Sequence, residues 1–206
     1  MKKTNWFTVM VAGATGLFLA GCTTPTTNID THNDTAGAVA GIDYRDLRRV
    51  TSDMINSLLA SGRLTRPNGT PHVMTIGKIK NDTTQRFDTD TLTAQITEEL
   101  TNSGKVLITS AMAATSDNRD EMITTTRSVR GDAEFNQSTV AGQGQLLAPT
   151  LSLSGKIIQK DIAMDNGDKQ IEYYFQLRIT DLVTGLQWWQ KQVFVGKRTD
   201  RKTPIW

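Results

Sequence analysis

Ile171-Glu172-Tyr173-Tyr174-Phe175-Gln176-Leu177-Arg178-Ile179 sets large apolar residues at every odd position, with Glu172, Gln176 and Arg178 between them. A period of two marks a strand with one face on a core and the other toward solvent. Upstream, Leu151, Leu153 and Ile157 alternate with Ser152, Ser154 and Lys156, and Asp165-Asn166-Gly167-Asp168 separates the two runs. Asn-Gly accepts the positive φ of a type I′ turn, so the runs are predicted to pair as a hairpin. Downstream, Asp181-Leu182-Val183-Thr184-Gly185 reads as the next turn, leading into a strand from Trp188 to Val195.

Toward the N-terminus the period changes. Asp43 can cap a helix in which Leu47, Val50, Met54, Leu58 and Leu59 share a face, with Gly62 and Pro67-Asn68-Gly69 at its exit. Val73 to Ile79 is a short apolar run, predicted to be a strand covered on both faces. Asn81-Asp82-Thr83-Thr84 reads as a loop. Asp88 or Asp90 then starts a second helix with Leu92, Ile96 and Leu100, closed by Gly104. Lys105 to Thr109 supplies another short strand. Residues 111–145 are polar and threonine-rich, and Met122, Ile123 and Val129 predict a helix there. The order αβαβ(α)βββ predicts an α/β (α+β) fold, a small mixed sheet of about four to five strands flanked by helices and ending in antiparallel hairpins.

The first residues have another purpose. Met1-Lys2-Lys3 precedes an apolar run from Trp6 to Ala20, which has the length of a signal-peptide core and falls short of the ~20 residues a spanning helix needs. Leu19-Ala20-Gly21-Cys22 resembles the bacterial lipobox. That likeness implies cleavage after residue 21 and acylation of Cys22, the sole cysteine of the chain. By resemblance to Gram-negative sorting signals, in which Asp at that place retains a lipoprotein on the inner membrane, Thr23 implies the outer membrane. Several acyl chains, at ~0.8 kcal/mol per buried CH₂, make such anchoring stable.

Residues 23–41 hold six threonines and, as larger aliphatics, only Ile29 and Val39. They bury too little to offset ordering and read as a tether. Its reach is at most ~65 Å extended, or roughly 25 Å root-mean-square if flexible. The expected organisation is therefore a signal peptide over 1–21, a lipidated cysteine and tether over 22–41, and one domain over 42–206. A domain of that length buries ~70% of its unfolded surface, enough for a core without staples.

Charge narrows the function. The chain carries 23 basic and 21 acidic residues. Removing Lys2 and Lys3 with the signal peptide leaves 21 of each, so a general nucleic-acid binder, which needs a basic face, is disfavoured. Of two histidines, His32 lies in the tether and His72 at a strand start. His72 reads as a surface or edge residue, since no Gly-x-Ser-x-Gly elbow accompanies it. Zinc lacks ligands. An EF-hand register on Gly167 puts Ile162, Met164 and Tyr173 where carboxylates are required. Gly142-Gln143-Gly144 lacks the third glycine of a dinucleotide fingerprint. Glu98-Glu99 and Asp120-Glu121 are neighbours that do not share a helix face. No catalytic residue, cofactor or metal is expected.

What remains is contact with another protein. Trp188 and Trp189 should point to opposite faces of a strand, Trp189 into the core with Val193 and Val195, and Trp188 to the other side as a candidate partner residue. Arg127, Arg130, Lys156 and Lys160 are candidates for a basic patch at the sheet edge or the loop before it.

In this order the residues resemble the LpoB group of outer-membrane lipoproteins, activators of bifunctional penicillin-binding proteins. The likeness rests on Val73 to Lys80 leading into Asn81-Asp82-Thr83, on Leu100-Thr101-Asn102-Ser103-Gly104-Lys105-Val106, and on Tyr174 to Gly185 followed by Trp189. Together these span most of residues 42–196. The tether departs from the group's pattern, being shorter than the Pro-rich one of its best-known members. The resemblance implies a non-enzymatic periplasmic domain that binds a penicillin-binding protein and stimulates peptidoglycan synthesis. The alternative is an assembly or structural lipoprotein of another envelope machine, such as a secretion system. A pore of that kind would need ~10-residue alternating apolar membrane strands, which residues 111–145 do not supply.

Overall fold

The computed structural model describes residues 28–31, 37, 39–114, 119–200 and 202. The signal peptide, Cys22, His32 and most of the tether lie outside the described residues. The chain divides into two units, Met1–Ala36 and Gly37–Trp206. The second unit carries the elements α1 (Tyr44–Ala60), β1 (His72–Asp82), α2 (Thr89–Asn102), β2 (Val106–Ile108), α3 (Met122–Ser128), β3 (Leu151–Ala163), β4 (Lys169–Asp181) and β5 (Gln187–Thr199).

Asp43 starts α1 as expected, and the cap is reciprocal. Asp46 N–H donates to Asp43 Oδ1 at 3.0 Å while Asp43 N–H donates to Asp46 Oδ2 at 3.3 Å, so two otherwise orphaned donors are satisfied. Val50, Met54, Ile55 and Leu58 are buried along one stripe, with Leu47 and Leu59 partly covered beside it. Asp88 caps α2 by accepting from Asp90 N–H at 2.8 Å, and Leu92, Ile96 and Leu100 are buried.

The five strands run in the order β2-β1-β3-β4-β5. β1 is parallel to both β2 and β3, and β3, β4 and β5 form an antiparallel meander. The sheet is therefore mixed. β4 behaves as its period-two pattern requires: Ile171, Tyr173, Phe175, Leu177 and Ile179 are all buried.

Three expectations are corrected. β1 is covered on one face only, because His72, Met74, Ile76 and Ile79 are buried while Lys78 and Lys80 are exposed. It also runs through Asp82, past the expected loop start. The Asp165–Asp168 turn is not type I′. Among the described residues no non-glycine has positive φ, and Gly167, at φ 86°, takes the left-handed position alone. Gly167 N–H donates to Met164 O and Met164 N–H to Asp168 O, both at 2.9 Å, which gives a three-residue loop with a bulge at glycine. The helix predicted within 111–145 is α3, seven residues long with no buried side chain.

Candidate interaction surface

Side chains of the sheet that do not meet the helices form a second, open face. Its membership is fixed by contacts between neighbouring strands. Arg178 Nε donates to Ser154 Oγ at 3.0 Å, and Gln176 donates to the Gln192 side chain at 2.8 Å. Tyr174 and Phe194 meet with ring centroids 5.5 Å apart, and Lys160 lies 5.2 Å from the Tyr174 ring centroid. Lys156 Nζ pairs with Asp82 at 2.7 Å.

A cleft of about 540 Å³ opens on this face, lined by Lys78, Lys80, Ser154, Lys156, Arg178 and Gln190 among others. Lys78 reaches it through an irregularity. The β1–β3 register shifts between Ile76 and Ile79, so both isoleucines stay on the core side while Gly77 and Lys78 fall between them. An extra residue in one strand has this effect. Four cations thus line one cleft. The neighbouring acid, Asp82, is held below the usual carboxylate range by its hydrogen bond from Lys156 and by the charges of Lys156 and Lys80.

The opposite end of the face is different in character. The Glu172 carboxylate accepts from Tyr174 O–H at 2.6 Å and from Gln170 at 2.8 Å, and these bonds hold it low while raising Tyr174. Lys160 sits there, over the aromatic pair. Both signs therefore occur at this end, Glu172 with Lys160 across from it and Arg198 donating to Gln170 at 3.1 Å, whereas the charged residues lining the cleft around Ser154 are all cations.

The residues singled out from the sequence are dispersed. Lys156 and Lys160 share the open face of β3. Arg130 donates to Ala141 O at 2.7 Å and Gly142 O at 2.8 Å, clasping its own loop. Arg127 donates to Ile123 O one turn back in α3. Trp188 and Trp189 are both half-buried and both pack against the core. The β4–β5 register shifts where Ile179 faces Trp189 and Thr180 faces Gln187, which leaves Trp188 as the extra residue. Alternation fails at that bulge, and the Trp188 and His72 rings meet at right angles, centroids 5.5 Å apart.

His72 is buried rather than on a surface. Its Nδ1 accepts from Arg66 Nε at 3.1 Å, and burial, reinforced by the Arg66 charge, lowers its pKa from the ordinary 6.5. A histidine used in this way holds a strand end. Among the described residues no group of three or more His, Cys, Asp or Glu side chains is placed to hold a metal ion. No helix among them is long and apolar enough to cross a membrane.

The family model for the peptidoglycan-synthase activator LpoB matches residues 46–195, which reach from the first turn of α1 to β5. The chain belongs to the LpoB family. Asn81 and Thr83, part of the LpoB likeness seen in the sequence, have a local role: the Asn81 side chain accepts from Thr83 N–H and O–H and donates to Gln85 O, closing the exit of β1. Among solved structures, the chain is similar to the C-terminal domain of LpoB from Escherichia coli, at 13% identity and TM-score 0.43, covering 74% of this chain and 99% of that one. It is similar also to E. coli LpoB solved by NMR (14% identity, TM-score 0.38, 91% of this chain and 88% of that one). A lipoprotein from Neisseria meningitidis is a third (12% identity, TM-score 0.37, 63% and 85%). No curated protein matches the sequence.

Of the cleft's cations, Lys78, Lys80 and Arg178 were not singled out from the sequence. Arg178 carried a usable signal, since it stands at an outward position of a strictly alternating strand. Lys78 carried none: alternation from Met74 and Ile76 would send it into the core, and the register shift that turns it outward leaves no mark in composition.

Proposed function

We propose that the chain is an outer-membrane lipoprotein whose periplasmic domain binds a bifunctional penicillin-binding protein and stimulates its synthesis of peptidoglycan. The match of the activator family over residues 46–195 carries this reading. The lipobox-like Leu19-Ala20-Gly21-Cys22 supports the anchor: residues 1–21 are removed, Cys22 takes the acyl chains and residues 22–41 act as the leash. The domain acts by contact, without chemistry of its own. His72, the histidine best placed for acid–base work, is occupied as the acceptor of Arg66 and covered by Trp188.

Two measurements test it. Radiolabelled palmitate should enter the wild-type chain in growing cells and not a Cys22→Ser variant; equal labelling would remove the anchor. The purified full chain should retain a bifunctional penicillin-binding protein from the same cells in a pull-down. Failure to retain any of them at micromolar concentration would remove the partner.

A further inference from the structure

The open-face cleft is where charge and shape coincide. The chain without its signal peptide is balanced, at 21 basic against 21 acidic residues. Within the cleft the balance is lost: Lys78, Lys80, Lys156 and Arg178 line it, and Asp82 beside it pairs with Lys156 at 2.7 Å and Lys80 at 3.9 Å. The floor is built from small residues, Ser154 and Gly155 of β3, while long side chains from β1, β4 and β5 rise around it. The result is a trough over β3, walled by cations and by the amides of Gln176 and Gln190.

Such a concentration of one sign in a concave site focuses the field and favours an oppositely charged partner. Its geometry selects among anions. The cations stand on three strands, each ~4.8 Å from the next; Lys80 and Lys156 already meet on Asp82, at 3.9 and 2.7 Å, so the charge left for a ligand is spread along the trough with Lys78 and Arg178. A compact phosphate is held by converging donors, and here the lysines are exposed at 62% for Lys80 and 38% for Lys156. A flat bilayer cannot reach the floor of a concavity. An extended chain carrying several carboxylates can lie in the trough, its carboxylates toward the cations and its peptide groups toward the glutamine amides.

We infer that the open-face cleft lined by Lys78, Lys80, Lys156 and Arg178 is the docking site for an acidic polypeptide segment of the synthase. The inference rests on the synthase-binding reading above and adds which face of the domain makes the contact and the chemistry it selects.

The test uses the full acylated chain in detergent, with purified bifunctional penicillin-binding protein, isolated sacculi and phosphatidylglycerol vesicles as separate probes. Lys78→Glu with Arg178→Glu should weaken synthase binding at least tenfold at 50 mM salt, with the gap narrowing toward 0.5 M as screening grows. Gln190→Lys, which adds a cation to the wall, should tighten it, and this variant decides the matter if the double reversal does not fold. Wild-type and both variant chains binding the synthase alike would overturn the cleft while leaving synthase binding intact. A wild-type chain that does not bind the synthase would overturn both. Loss on charge reversal confined to sacculi or to vesicles would also overturn the inference, in favour of a glycan or a lipid ligand.

Discussion

Gly155 lies where β3 is held between β1 and β4, and a Cβ there would stand 2.6 Å from Leu177 Cδ2 and 2.7 Å from Gln176 O. The second neighbour is backbone and cannot step aside. Gly155→Ala is therefore expected to destabilise the domain by about 1–3 kcal/mol, as overpacking does, read as a lower urea midpoint with an unchanged slope. His72 sets a pH dependence. Its folded pKa lies below 6.5, so the unfolded chain binds the extra proton first. Its contribution is present above pH 6.5 and is lost as pH falls through the folded value. Urea midpoints should decline as pH drops below 6.5, and His72→Asn, which keeps an acceptor near Nδ1, should flatten that decline. Asp43 adds a later loss. Burial raises its pKa, but the Arg45 hydrogen bond, the Asp46 N–H and the Lys197 charge hold it below 3.8 on balance, so its contribution fades only as pH falls beneath that value. At this scale the sequence was informative about Asp43 and Leu153 and misleading about His72, read as a surface or edge residue, since burial of a histidine depends on Arg66 and Trp188 packing against it in the assembled fold.

Among the elements, α1 and β5 are joined by an ion pair that neither one's sequence announces. Lys197 Nζ lies 2.6 Å from Asp46 Oδ2, with side chains only 11% and 9% exposed. Asp46 also completes the α1 cap, so one carboxylate ties the helix start to the strand at the sheet's edge. Removing the cation leaves a largely buried carboxylate with the Asp43 N–H and the exposed Arg49, 3.7 Å away, in place of its closest ion-pair partner. Lys197→Met should cost about 3 kcal/mol and lower the melting temperature by roughly 10 °C for a unit of this size, in differential scanning calorimetry. The double change Lys197→Met with Asp46→Asn should recover part of that loss. Helices α1 and α2 and strands β3 and β4 were legible because periodic burial repeats over many residues. Departures from period were not. The bulges at Gly77–Lys78 and at Trp188 each insert one residue, which reverses the facing of every later position in the strand, and a pattern of alternating hydrophobicity contains no term for them. The same limit explains the turn at Gly167, where Asn-Gly pointed to two left-handed residues and one suffices.

For the molecule as a whole, one face of a mixed sheet is closed by two amphipathic helices and the other is left open, with four cations lining one cleft in it. That division follows from connectivity, since α1 and α2 both pack their apolar stripes on the side where Met74, Ile96, Leu100 and Phe175 are buried. The order αβαβ(α)βββ was enough to anticipate the architecture. The cleft was not, because it combines β1, β3, β4 and β5, whose adjacency is a property of the assembled sheet. The proposed activator role predicts an effect on the partner's catalysis, so the decisive quantity is the rate of glycan polymerisation by a purified bifunctional penicillin-binding protein from the same cells, with and without saturating full chain. That rate should rise several-fold, saturate with the chain, and lose the rise when Lys78→Glu and Arg178→Glu are combined. A rate unchanged at saturating wild-type chain would contradict the activator role.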